Sequence, residues 1–345
     1  MADETSALDF EIPIVELENK IAEIRTLNQS ETVNLDQEIK SREEKRDRLI
    51  KEIFSGLTPW QKVQLARHPK RPHTRDYVQA VFTDFTELHG DRLFGDDAAL
   101  LAGTAFLAGE PVIVMGHQKG RSIEDSMMRN FGMMHPEGYR KAMRLMKLAE
   151  KFRVPVITFI DTAGAYPGIG AEERGQAQAI AVNPMEMSAL KVPIVSVVIG
   201  EGGSGGALGI GVTDRILMLE NSWYSVISPE GCAAILFHDA ARAQDSSRLL
   251  KLTARDLLEI GVVDEVLPEP AGGAHRNAAS IFGAVSDALQ AHMKELKAIP
   301  TDKLLDMRYE KYRKQGRWTE SQESEILAAA KKPKRAKKRK DLDKQ

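Results

Sequence analysis

Two glycine-rich stretches hold most of the chemistry that can be read from this chain of 345 residues. The first, FIDTAGAYPGIGAEERGQ, runs from Phe159 to Gln176, and the second, VIGEGGSGGALGIG, from Val198 to Gly211. Glycine adds no side chain, so a group bound there meets bare backbone. Gly202, Gly203, Gly205 and Gly206 permit positive φ and close approach, and a helix starting near Ser204 would aim its unpaired amides and positive dipole end at the same spot. Donors placed this way suit an oxygen on which negative charge develops. A two-donor hole would take one amide from each loop, from Gly164 or Ala165 in the first and from Gly205 or Gly206 in the second. Losing one such donor typically slows a reaction on the order of 100-fold to 1000-fold. The competing explanation is that the glycines only allow tight strand–helix packing, and two loops at equivalent places weaken it.

Two side-chain motifs overlap the second loop. GGSGG (Gly202 to Gly206) fits G-x-S-x-G, which would make Ser204 a nucleophile with His238 or His275 as its base. GEGGSG (Gly200 to Gly205) fits G-x-G-x-x-G, with Glu220 downstream as a dinucleotide site requires. Against the dinucleotide reading, the helix to follow would be short and interrupted by Gly209 and Gly211. A GK[ST] phosphate loop is absent from the sequence.

Rigid strands must present these loops. RVPVITFID (Arg153 to Asp161) runs into the first and KVPIVSVVIG (Lys191 to Gly200) into the second, each a continuous β-branched run of the kind found when both faces are covered. The repetition predicts a layered α/β core with glycines at the carboxyl ends of its strands. Upstream, a helix ending near Gly90 is expected to precede strands over Ala99 to Leu107 and Pro111 to His117, joined by the turn Ala108-Gly109-Glu110. Downstream come strands near Arg215 to Leu219 and Trp223 to Ile227, then a helix capped by Ser228 before Pro229. Thr253 opens a further helix closed by Gly261, Val262 to Leu267 is a last strand, and Ile281, Val285, Ala288 and Leu296 mark a long amphipathic helix. The compact domain is expected to end near Ile299.

Before the core, Ile14, Leu17, Ile21 and Ile24 recur at helical spacing, and Leu35, Ile39, Leu49, Ile50 and Ile53 follow after a polar break. Two helices joined as a hairpin would show this seam to the parent domain or to another subunit. Asn34 with Gln37 reads as a cap for the second helix, and Thr58-Pro59 with Gln61 as the start of a third. The division expected is a helical hairpin over 1–57, an α/β domain over 58–299, a helical extension over 300–330 and a basic tail over 331–345.

A hydrophobic content of 42% at this length suffices for a large core. The opening MADETSALDFEIPIVELENK lacks a basic region followed by an apolar run, and no stretch is apolar enough to span a bilayer, so a cytoplasmic location is expected. Cys232 is the single cysteine, which excludes an intramolecular disulfide framework and a cysteine-based zinc site. It reads as core packing. The net charge of −2 conceals an asymmetry, because Lys331 to Gln345 holds nine Lys/Arg and two Asp, +7 in all, leaving −9 for the body. Such a block repels itself and reads as a solvated tail, with RNA or an acidic partner as the alternative.

QLARHPKRP (Gln64 to Pro72), GHQKGR (Gly116 to Arg121), RNFGMMHPEGYRKAMRLM (Arg129 to Met146), both glycine loops, YSVISPEGCAAIL (Tyr224 to Leu236) and PEPAGGAHRN (Pro268 to Asn277) occur in order. In these motifs the chain resembles the carboxyltransferase alpha subunits of bacterial acetyl-CoA carboxylases. The resemblance implies a crotonase-like α/β fold, the stacked ββα superhelix shared with ClpP, and transfer of a carboxyl group from carboxybiotin to acetyl-CoA to give malonyl-CoA. It implies biotin carried covalently on a biotin carboxyl carrier protein and charged by biotin carboxylase. It also implies a beta subunit with its own zinc ribbon in an α2β2 assembly, and no metal in this chain. The amides of Gly205, Gly206 and Ala207, with Gly164 and Ala165 opposite, would hold the biotin ureido oxygen, with Gly202 and Gly203 beside them. Arg129, Arg140, Lys119 and Arg121 are cations near these motifs that would meet carboxylate or phosphate, surface ion pairing being the alternative. His135 reads as structural, Glu172 and Glu173 as helix-start acids, and Glu201 as a residue that orders the second loop. Ala163 stands where the motif usually reads proline, which removes a ring that would fix φ in the first loop.

Overall fold

The computed structural model describes residues 7–30 and 35–316. The cap expected of Asn34, the end of the helical extension and the basic tail lie outside the described residues. Helices α1 (Ile12–Ser30) and α2 (Asp36–Ser55) form a hairpin, followed by α3 (Pro59–Ala66) and α4 (Thr74–Val81). Strands β1 (Thr83–Glu87), β2 (Leu100–Leu107) and β3 (Glu110–His117) come next, then α5 (Ile123–Met128) and α6 (Pro136–Phe152). β4 (Val156–Thr162) leads to α7 (Ile169–Glu173) and α8 (Gln176–Ala189), and β5 (Ile194–Gly203) leads to α9 (Ser204–Leu208). β6 (Arg215–Leu219), β7 (Trp223–Ser225), α10 (Pro229–Phe237), α11 (Ala243–Leu249), α12 (Ala254–Glu259) and β8 (Glu265–Leu267) follow. The chain closes on α13 (Ala278–Lys297) and α14 (Thr301–Arg313).

The strands make one mixed sheet in the order β1-β2-β3-β4-β5-β6-β8, with β7 paired to the end of β5. β1, β2 and β3 are antiparallel, and from β3 onward the pairs are parallel. β4 and β5 are buried along their whole length. Alternation sends Val156, Ile160, Ile194 and Val198 toward α6 and α8, while Ile157, Phe159, Val195, Val197 and Ile199 face α4 and α13. Covered on both faces, these two strands form the rigid base from which both glycine loops leave.

Several local expectations hold. Thr58 caps α3, its Oγ1 accepting the Gln61 amide at 3.3 Å, and Ser228 and Thr253 cap α10 and α12. Ala108 and Gly109 both take positive φ in the hairpin between β2 and β3. One expectation fails, and one helix lay outside the expectations. The helix expected to run to Gly90 stops at Val81, and Thr83 to Glu87 pairs as an edge strand instead, because Thr, Phe and Thr suit a half-buried pleat. α11 was not anticipated.

Past Ile299, where the compact domain was expected to end, α14 is joined to the body through Arg308. This fully buried guanidinium donates to both oxygens of Asp214 at 2.8 Å and to the carbonyls of Met187, Leu190 and Val192 at 2.7 to 2.9 Å. At the other end, Glu11 is buried and accepts His275 Nε2 at 2.9 Å, so the start of the hairpin rests on this chain's own domain. Among the described residues, no helix is long and apolar enough to cross a membrane.

Candidate functional site

The two loops meet because β4 and β5 are neighbours, with Thr162 opposite Gly202 after a shift in register. A Cβ on Gly206 would run into the carbonyl carbon of Gly164 and lie 2.6 Å from its oxygen and 2.7 Å from Ala165 N. A Cβ on Gly203 would collide with the Ala163 carbonyl. Backbone therefore touches backbone, and only glycine permits it. Thr162 Oγ1 donates to the Gly164 carbonyl at 2.7 Å and accepts the Gly164 amide at 3.2 Å. Gly164, expected as a donor, is thus occupied by its own strand end, which leaves Ala165 as the first-loop amide.

In the second loop α9 is only five residues long, so the amides of Ser204, Gly205 and Gly206 have no acceptor four residues back within the helix. Gly205 is half-buried and lines a cavity of about 390 Å³ with Ser204, Leu208, Tyr224, Val226 and Leu257. Gly202, Gly203 and Gly206 are buried, and Ala207 packs into the core with no exposed surface. Of the five residues expected to supply donors, Gly205 and Ala165 are thus the two that are only half-buried and whose amides are not already bonded to their own loop.

Ser204 takes a left-handed φ of 52°, yet no histidine lines the cavity beside it. His275 is bonded to Glu11 and stacked on His68 with ring centroids 4.0 Å apart, while His238 closes α10. The serine nucleophile thus lacks an assembled base. The dinucleotide reading fails on the shortness of α9, and Glu220 instead accepts the Glu269 amide at 3.2 Å.

Behind the loops lies a partly buried chain of charges centred on the buried carboxylates of Asp161 and Glu201. Lys119 Nζ sits 2.7 Å from Asp161 Oδ1 and 2.6 Å from Glu201 Oε2, and Arg67 bridges Glu201 at 2.6 Å and Glu230 at 2.5 Å. Asp161 Oδ1 also accepts the Glu201 amide at 3.0 Å, tying the end of β4 to the end of β5. Burial alone would raise the Glu201 pKa, but Lys119 and Arg67 outweigh it and hold the carboxyl below its usual range. Burial likewise opposes the Lys119 charge, and Asp161 and Glu201 reverse that, raising its pKa. The loop-ordering role expected of Glu201 therefore has a physical basis.

The four cations expected at the substrate side separate. Lys119 and Arg121 line a second cavity of about 380 Å³ together with Arg67, His73, Asp161 and Glu201. Arg121 pairs there with Asp76. Arg129 is instead held by Asp125 at 2.7 Å and the Ala98 carbonyl at 2.9 Å, and Arg140 by Asp91 at 2.7 Å and the Arg174 carbonyl at 3.1 Å. Neither lines either cavity, which is the ion-pairing alternative. His135 packs against Tyr166 at a 31° tilt with centroids 4.3 Å apart and meets Asn130, in keeping with a structural role. Cys232 is buried on α10. Reading the sequence missed Arg67 and His117, although both lie inside motifs that carry the family resemblance.

Among the described residues, Glu11, His68 and His275 form the one group with the composition of a metal site. His68 Nδ1 accepts the Lys70 amide at 3.1 Å, which puts the ring proton on Nε2, facing Glu11. With Arg276 3.6 Å from the same carboxylate, the group reads as a buried acid held by cationic and N–H donors. It does not fit a metal.

Residues 7–316 match the family described as acetyl co-enzyme A carboxylase carboxyltransferase-like. The acetyl-coenzyme A carboxylase carboxyl transferase subunit alpha of Geobacter sulfurreducens is 60% identical over 276 residues, 80% of this chain and 86% of the relative. That of Halalkalibacterium halodurans is 55% identical over 315 residues, 91% of this chain and 97% of the relative. Among solved structures, a Pseudomonas malonate decarboxylase hetero-tetramer in complex with coenzyme A aligns over 69% of this chain and 90% of its own, with TM-score 0.53 and 16% identity. The transcarboxylase 12S core aligns over 61% of this chain and 41% of its own, with TM-score 0.50 and 21% identity. These structural likenesses carry the fold, the crotonase-like α/β architecture expected from the sequence. The match over nearly the whole described length places the chain in the acetyl co-enzyme A carboxylase carboxyltransferase-like family, as an alpha subunit.

Proposed function

We propose that main-chain amides of the two glycine loops hold the ureido oxygen of carboxybiotin while its carboxyl group passes to acetyl-CoA. The observation that carries this reading is the direct backbone contact of Gly206 with Gly164 and Ala165, beside first-turn amides that α9 cannot satisfy internally. Carboxybiotin supplies the carboxyl group; as its carbon–nitrogen bond breaks, the electron pair withdraws into the ureido group and its oxygen becomes more negative, the new carbon–carbon bond forms at the acetyl methyl carbon, and the proton lost there ends on the ureido nitrogen. Fixed N–H donors stabilise that charge more than the neutral starting state, which lowers the barrier. On this reading the half-buried Gly205 and Ala165 supply the donors, and the buried Gly206 and Ala207 hold the first turn of α9 in place.

On this reading the carrier protein brings biotin, biotin carboxylase charges it with ATP and bicarbonate, and a zinc-bearing beta subunit presents acetyl-CoA, all in the cytoplasm. The purified chain alone should form no malonyl-CoA and should gain that activity when mixed with the beta subunit, biotinylated carrier, biotin carboxylase, ATP and bicarbonate. Activity of the chain alone, or none in the complete mixture, would refute the assignment.

A further inference from the structure

His117, the last residue of β3, has no exposed surface and lies 3.2 Å through Nε2 from the Gly206 carbonyl in α9. Its Nδ1 faces the Asp161 amide at 3.4 Å, at the end of β4. A backbone amide can only donate, so Nδ1 accepts, the ring proton sits on Nε2, and Nε2 donates to Gly206. One rigid ring therefore spans the strand that launches the first loop and the helix that opens the second. Burial lowers the His117 pKa to about 4, against the opposing pull of Asp161 and of the Gly206 and Phe159 carbonyls, so the neutral ring persists near neutral pH.

α9 needs such an anchor. Five residues with two glycines cannot hold a helix by local hydrogen bonding. Gly205 and Leu208 give their carbonyls to the local amides of Gly209 and Gly211 at 3.0 Å, whereas the Gly206 carbonyl is held by His117 and, just beyond the helix, that of Gly209 by Asn183 Nδ2 at 2.9 Å. Because the peptide unit is planar, fixing the Gly206 carbonyl also fixes the Ala207 N–H, which points the opposite way, and so the orientation of the first turn.

We propose that His117 is a positioning residue for carboxyl transfer, setting the aim of the α9 amides against the first loop through its Nε2–H bond to Gly206 O, with the longer contact to Asp161 N orienting the ring. This rests on the carboxyl-transfer reading. The test uses the complete mixture of chain, beta subunit, charged carrier and acetyl-CoA, with H117F, H117N and H117Q compared with the unaltered chain. Glutamine places an N–H at the ε position and can still reach Gly206, whereas asparagine and phenylalanine cannot. H117F and H117N should lower kcat by about 10-fold to 100-fold with KM for the carrier little changed, as a misplacement of around 1 Å would. H117Q should stay within about 3-fold of the unaltered chain, under half of a tenfold step in barrier height. Unaltered kcat in H117N, or H117Q falling as far as H117N, would overturn the proposal, and that pair decides the matter if H117F fails to fold. An inactive unaltered chain would instead count against the carboxyl-transfer reading itself.

Discussion

Position 206 admits no Cβ, because the space it would fill holds the backbone of Gly164 and Ala165. Gly206→Ala should therefore push α9 away from the first loop and lower turnover on the order of 100-fold while the chain stays folded. Full turnover in a folded G206A chain would remove that contact from the mechanism. Lys119 makes a different prediction, since it balances two buried carboxylates. Lys119→Met should cost about 3 to 5 kcal/mol in chemical denaturation, because Asp161 and Glu201 would be left short of a partner. The folded-state pKa of Glu201 lies below its unfolded value of 4.5, so its contribution is whole above pH 4.5 and is lost as pH falls through the folded value. The melting temperature should fall on acidification below that point. The glycines were legible in the sequence because their meaning is local, and Glu201 because it sits among them, although its pairing with Lys119, Arg67 and Asp161 was not. Arg67 and His117 were not, since their partners lie 134 and 89 residues away along the chain.

Among the elements, β4 and β5 were readable because strands covered on both faces become uninterrupted apolar runs. The edge strand β1 is short and only half-buried, so its residues gave no comparable signal and the preceding helix seemed to continue. α14 was undervalued for a physical reason too. Arg308 drew no notice in the sequence, because Asp214 and the carbonyls of Met187, Leu190 and Val192 gather around it only in the fold. Arg308→Met should strand the buried Asp214 carboxylate and destabilise the chain by about 3 to 5 kcal/mol in urea unfolding. A change under about 1 kcal/mol would show that α14 is a surface appendage with a surface-pair energy.

At the scale of the whole molecule, the helical hairpin is latched to the body where Glu11 meets His275, His68 and Arg276. Burial alone would raise the Glu11 pKa, and the bond to His275 with its charge, the Leu8 amide and His68 reverse it. Glu11→Gln should loosen this latch and speed hydrogen exchange of the α1 amides by about 10-fold, the effect of losing roughly 1.4 kcal/mol of charge-assisted bonding. Unchanged exchange would mean that the apolar contacts of Ile14, Leu17 and Ile21 suffice to hold the hairpin. The body beyond the latch converges on one feature, backbone donors from two adjacent strand ends. The most direct measurement is a structure of the assembled alpha and beta subunits with biotin bound. The ureido oxygen should lie about 3 Å from main-chain nitrogens of both loops, with Gly205 and Ala165 the first candidates. An oxygen held by side chains, or loop amides turned away from it, would contradict the mechanism.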